Sequence, residues 1–111
     1  MKTSEILIAL SLSAGTFFPQ LSHAAGDVVE GQKKTSMCAG CHGIEGMRTA
    51  YPEVFTVPKL GGQNAAYIVN ALSAYRSGAR KFATMRAIAS SLSDQDIADL
   101  AAYYSTVQVA K

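Results

Sequence analysis

The run Cys38-Ala39-Gly40-Cys41-His42 constrains this chain more than any other feature, because it holds both cysteines and sets a histidine directly behind the second. Few chemistries use that spacing. A short disulfide is one, and a thioredoxin-like redox centre is another, but the latter belongs beside a βαβ pattern that the sequence lacks. A zinc site needs one or two further Cys or His ligands. The other histidine, His23, falls in an amino-terminal leader, so zinc runs out of ligands. The remaining chemistry employs all three side chains: two thiols add to the vinyl groups of haem, and the histidine is held beneath the iron. Ala39 and Gly40 are small enough to let the backbone turn closely past a porphyrin edge, and Gly43 relaxes the chain as it leaves. The motif therefore predicts one covalently attached haem c, joined at Cys38 and Cys41, with His42 as an iron ligand.

The leader is read from its pattern. Lys2 precedes an apolar stretch from Ile6 to Phe18 that is short for a bilayer, and Ser22-His23-Ala24 places small residues where a signal peptidase reads. Residues 1–24 are expected to be a cleaved secretory signal and 25–111 a monohaem domain, exported to the periplasm; an uncleaved anchor is the competing reading. No second apolar run long enough for a membrane follows.

At 111 residues the chain allows one small domain. With 49% hydrophobic and 16% charged residues it is globular in composition, yet chains this small often need a disulfide, metal or cofactor to complete a core. Lys2 and Glu5 leave together with the signal, so the formal net charge stays at +2. No basic run exceeds Lys33-Lys34 or Arg80-Lys81, which excludes a nucleic-acid reader with its dense basic stripe. Two haem propionates would bring the total near neutral. On that count long-range steering is expected to be weak, with docking resting on apolar contact around the haem edge.

Helical signals dominate the remainder. Asp27 can start a short helix that carries Val28, Val29, Gly31 and Thr35 into the attachment site. From Gly43 to Gly62 turn signals prevail, including Tyr51-Pro52 and Val57-Pro58, and predict an extended loop that lies against the cofactor. Asn64 can cap a helix with Tyr67, Ile68, Ala71, Leu72 and Tyr75 on one face, ended by Ser77-Gly78. Ser93, followed by Asp94 and Asp96, can cap a final helix through Ile97, Leu100, Ala101, Tyr104 and Val107. Strand signals are absent, so the expected class is all-α with loops. Tyr67, Tyr75, Tyr103 and Tyr104 read as core aromatics with a hydroxyl reaching a partner.

The sixth iron position is open to Met, Lys, Tyr or a backbone group. Met37 is tied to the attachment side, and Met47 follows His42 too closely to cross the ring easily. Met85 lies past the loop and a helix, with ample chain to pass around the haem. Spacing favours Met85, and an ordinary gap-filling core Met is the alternative.

Taken together, the motif through Gly43, Pro58-Lys59-Leu60-Gly61-Gly62-Gln63, Tyr67, Gly78-Ala79-Arg80, Met85, Leu92-Ser93-Asp94-Gln95-Asp96-Ile97 and Leu100-Ala101-Ala102-Tyr103-Tyr104 resemble class I cytochromes c. Within that class the chain is similar to the bacterial cytochrome c553 type and to single domains of the dihaem cytochrome c4 type. The resemblance implies a small cytochrome c fold wrapped around the haem, thioether attachment at Cys38 and Cys41, and His42 and Met85 as axial ligands. It further implies that the Pro58 carbonyl accepts from the other ring nitrogen of His42, that Arg80 reaches a propionate, and that the first helix crosses the last with Gly31 near Ala101 or Tyr104. The loop before Pro58, with Met47, Arg48 and Tyr51, departs from the family pattern in length. The implied function is one-electron transfer with redox partner proteins by a soluble monomer that is not an enzyme. A haem subunit of a larger periplasmic dehydrogenase or oxidase is the alternative, and gas sensing or peroxide turnover would need an open sixth position.

Overall fold

The computed structural model describes residues 25–51 and 54–107, so the expected signal and its cleavage site lie outside the described residues, as does Pro52. The chain forms α1 (Val28–Lys33), α2 (Ser36–His42), a hairpin of β1 (Arg48–Thr49) and β2 (Phe55–Thr56), then α3 (Ala65–Ser77), α4 (Ala83–Ser90) and α5 (Asp94–Thr106). The class is all-α, and no helix among the described residues is long and apolar enough to cross a membrane.

Local chemistry accounts for the helix starts. The Asp27 carboxylate accepts from the backbone N–H of Val29 at 2.7 Å and of Glu30 at 2.9 Å, the amides that a first helical turn leaves unpaired. Asn64 Oδ1 accepts from Tyr67 N in the same way. Ser93 and Asp96 form a reciprocal capping box at α5. Gly78 ends α3 with φ +84°, a conformation costly for any residue carrying a Cβ.

Three elements differ from the sequence expectation. The helix that begins at Asp27 does not run on to Met37; it stops at Lys33 and a new one starts at Ser36. The β-branched Thr35 turns its hydroxyl onto the Gln32 carbonyl, and Lys34 N and Thr35 N bond to Gly31 and Gln32, so the i→i−4 ladder is interrupted. In the expected loop a minimal antiparallel hairpin pairs Arg48 with Thr56 and Thr49 with Phe55. Its side-chain clasp is Thr49 Oγ1, which accepts from Phe55 N and donates to Phe55 O. The third difference is α4, which carries Met85 in a segment where no helix was expected; Phe82 at its start supplies no side-chain cap, which removes the usual signal.

Packing runs through α5. Helix α1 crosses it, and α3 packs against both α5 and α4. Gly31 makes the crossing feasible, since a Cβ there would lie 2.0 Å from the Asp99 carbonyl oxygen and 2.8 Å from Tyr103 Cβ. The close approach is thus to Asp99 and Tyr103 rather than to Ala101 or Tyr104. Ile68, Ala89, Ile97, Leu100 and Ala101 are the buried apolar residues among those described.

Candidate functional site

Helix α2 explains why the cysteine spacing suits its task. Residues three and four apart share a helix face, so Cys38, Cys41 and His42 project together. All three line one cavity of about 380 Å³, within the range of roughly 300 to 1,000 Å³ typical of cofactor sites. The two cysteines are not joined by a disulfide. Burial pushes the Cys38 thiol above its ordinary pKa, offset in part by a hydrogen bond from the Tyr104 hydroxyl. Burial also pushes Tyr104 upward, so its hydroxyl keeps its proton and remains a donor. No protein atom lies within 4 Å of a Cβ placed on Gly40, so close protein packing is not what calls for glycine there; at Gly43 a Cβ would sit 2.6 Å from the Ala39 carbonyl.

His42 is oriented from outside its helix. Its Nδ1 lies 2.6 Å from the Pro58 carbonyl oxygen. A carbonyl can only accept, so Nδ1 carries a hydrogen, and in the neutral ring Nε2 is the nitrogen that keeps a lone pair. That tautomer is the one a metal-ligating imidazole needs, and the carbonyl contact raises its basicity. The Pro58 segment is steadied beside it, with Lys59 Nζ paired to Glu45 at 2.8 Å.

Other elements supply the remaining walls. Met85 reaches the cavity from α4, and Arg80 from the α3–α4 connection, its guanidinium carbon 4.5 Å from the centre of the Tyr75 ring. Of the other methionines Met37 lines the cavity and Met47 does not. The sequence argument missed the hairpin's part: Thr49, Phe55 and Thr56 face the cavity, and the Phe55 ring packs 5.4 Å from that of Phe82. The aromatic and β-branched run Phe55-Thr56-Val57 was the available signal.

The residues fit a haem. Met37, Phe55 and Tyr67 each leave about half their surface uncovered by protein, and all three line this cavity, as do Leu60, Ile68 and Leu72. Exposed aromatic and aliphatic surface turned inward on a cavity calls for a large apolar occupant. Helix α2 is absent from the extensively packed helix pairs, its inner face being cavity wall. Among the described residues no group of three or more His, Cys, Asp or Glu is placed to hold a bare metal ion. Two thiols, an imidazole lone pair and a thioether around an apolar slot instead suit an iron already chelated by a macrocycle.

Comparison with known proteins agrees in kind. The family model for cytochrome c matches residues 28–108. The chain is 37% identical over 103 residues to a cytochrome c4 of Pseudomonas aeruginosa, covering 93% of this chain and 48% of that protein. It is 45% identical over 85 residues to a cytochrome c-554(548) of Halomonas halodenitrificans, covering 74% of this chain and 98% of that one. The crystal structure of reduced recombinant cytochrome c4 from Pseudomonas stutzeri superposes with a TM-score of 0.56 at 30% identity, over 77% of this chain and 53% of that one. The chain thus spans about half the length of these cytochrome c4 relatives.

Proposed function

The chain belongs to the cytochrome c family, as a class I c-type cytochrome of the c4 type, and from that premise we propose that it carries single electrons through one covalently attached haem c in the periplasm. The observation that carries this reading is the convergence of Cys38, Cys41 and the Nδ1-tethered His42 on one cavity. When bound, the haem supplies an iron that gains or loses one electron without atom transfer.

The chain's own residues would hold that iron. Cys38 and Cys41 would attach the macrocycle by thioether bonds, and His42 Nε2 and Met85 Sδ would ligate the iron. The Pro58 carbonyl keeps His42 in the liganding tautomer, while Arg80 would neutralise a propionate. With His42 and Met85 both ligating, no coordination place would be left for a substrate, which is the case for a carrier over an enzyme. Residues 1–24 direct export and are removed, leaving a soluble monomer from Ala25 whose partners are redox proteins. Apolar walls exclude water and keep reorganisation small when charge changes.

Extraction of the exported protein with acidified butanone tests the reading. Haem is expected to stay with the polypeptide, and amino-terminal sequencing is expected to begin at Ala25. Release of the haem into the organic phase would show that the cysteines do not bind it covalently.

A further inference from the structure

The cavity that fits the haem has no acid in its wall. Of the two flexible cations that line it, Lys59 is already paired with Glu45. Arg80 is the other, and among the described residues no carboxylate makes an ion pair with it. A guanidinium on an apolar cavity with no acid beside it suits an anionic group carried by the occupant. Arg80 is also exposed, and a long exposed side chain ordinarily spreads over many rotamers, meeting such a group only part of the time.

Arg80 is instead held in place. Its backbone N–H donates to the Ala74 carbonyl at 3.0 Å, and that of Gly78 to the Tyr75 carbonyl at 3.1 Å, so the chain leaving α3 folds back over the last turn of that helix. The reversal passes through Gly78 at φ +84°. The returning side chain lies over the Tyr75 ring, its guanidinium carbon 4.5 Å from the ring centre and inside the roughly 6 Å at which an aromatic face attracts a cation. Tyr75 lines the same cavity. A ring face binds by its quadrupole and holds no acceptor lone pair, so the fork of guanidinium N–H donors stays available to an anion.

We propose that Tyr75 is the positioning residue for Arg80: its ring face keeps the guanidinium at the cavity wall, where the donors would meet a haem propionate. The inference rests on the haem reading and makes a residue outside the ligand set a determinant of the reduction potential. An ionised carboxylate beside the macrocycle favours ferric iron, because the oxidised centre carries the extra positive charge. A guanidinium fixed on that carboxylate offsets the preference. Loosening the guanidinium therefore favours ferric iron, and Tyr75 acts only through Arg80.

Mediated potentiometry of the holoprotein reads this out. Arg80→Gln, which removes the cation, is expected to shift the reduction equilibrium about tenfold toward ferric iron, a fall of about 60 mV at roughly 59 mV per tenfold for one electron. Tyr75→Leu is expected to shift it about threefold in the same direction, or about 30 mV. Tyr75→Phe, which keeps the ring face, is expected to retain the parent value. Tyr75→Leu added to Arg80→Gln is expected to cause no further shift, whereas a merely structural role would move the potential equally in both backgrounds. As a readout that needs neither a variant nor electron transfer, proton NMR of the diamagnetic reduced holoprotein is expected to show cross-peaks between the Tyr75 ring and the Arg80 δ-methylene. Absence of those cross-peaks would overturn the positioning role. So would a potential unmoved by Tyr75→Leu while Arg80→Gln shifts it, or an undiminished effect of Tyr75→Leu in the Arg80→Gln background. A potential unmoved by Arg80→Gln would instead overturn the propionate contact on which the proposal stands, and loss of haem to acidified butanone would overturn the haem reading itself.

Discussion

Thioether sulfur is a soft and weakly basic donor that favours reduced iron, so the residue that supplies it sets much of the potential. Met85→Ala is expected to keep the haem attached, abolish the methionine-to-iron charge-transfer band, and lower the potential by on the order of 0.2 V within the roughly 0.8 V that axial ligation spans. Met47→Ala and Met37→Ala are the controls and are expected to retain the band. Loss of the band in Met47→Ala with its survival in Met85→Ala would move the ligand to the loop after His42. Gly31 is a second residue with a sharp expectation. Its Cβ position lies 2.0 Å from a backbone oxygen of α5, which cannot swing aside as a side chain would. Gly31→Ala is expected to cost about 3 kcal/mol or more in denaturant unfolding of the holoprotein, as overpacking against backbone does.

Between elements, the crossing of α1 and α5 is locked by a buried carboxylate. Asp99, only 2% exposed, accepts from Asp27 N at 2.8 Å, from Gln95 Nε2 at 2.7 Å and from Lys34 Nζ at 2.6 Å; the same Nζ reaches Asp96 at 2.8 Å. Lys34 first, then the Asp27 amide, hold the Asp99 carboxyl below the ordinary carboxylate range. A folded-state value that is depressed adds stability above the unfolded value and loses it as pH falls through the folded one. The lock is therefore complete at neutral pH, begins to weaken below about pH 4, where an unfolded carboxylate takes up its proton, and is lost once pH falls through the lower folded value. Lys34 is shifted upward by Asp96 and Asp99, so its share persists until pH rises past the ordinary lysine value. Asp99→Asn is expected to lower the melting temperature at pH 7 and to flatten its fall in acid, read by far-ultraviolet circular dichroism. An unchanged acid profile would remove Asp99 from the lock.

For the molecule as a whole, the proposed haem would be both the redox centre and part of the core. The described chain buries Ile68, Ala89, Ile97, Leu100 and Ala101, a small set, while Met37, Phe55 and Tyr67 turn uncovered surface onto the cavity. Helix α2 is absent from the extensively packed helix pairs and lines that cavity. Cys38→Ala with Cys41→Ala is accordingly expected to prevent a stable fold, since a ligand that binds only the folded state contributes its binding energy to stability. Recovery of a cooperatively melting, helix-rich apoprotein from this double variant would contradict it.

What the sequence determined by itself was whatever depends on neighbours within about one helical turn. The Cys38-Cys41-His42 spacing, the caps at Asp27, Asn64 and Ser93, the stop at Gly78 and the apolar faces of α3 and α5 all arise from contacts a few residues apart, which the order of side chains displays. Tertiary structure decided the rest. Asp27 and Asp99 are 72 residues apart in the chain, and nothing local marks Asp99 as the carboxylate that α1 would close over. The hairpin has strands of only two residues and is steadied by Phe82 from a distant segment, and α4 starts without a side-chain cap, so neither had a strong local signature. The charge count, near neutral once propionates are added, likewise said nothing of place. Only folding pairs the acids with Lys34, Lys59 and Arg76, because a Coulomb interaction depends on distance in space and not along the chain.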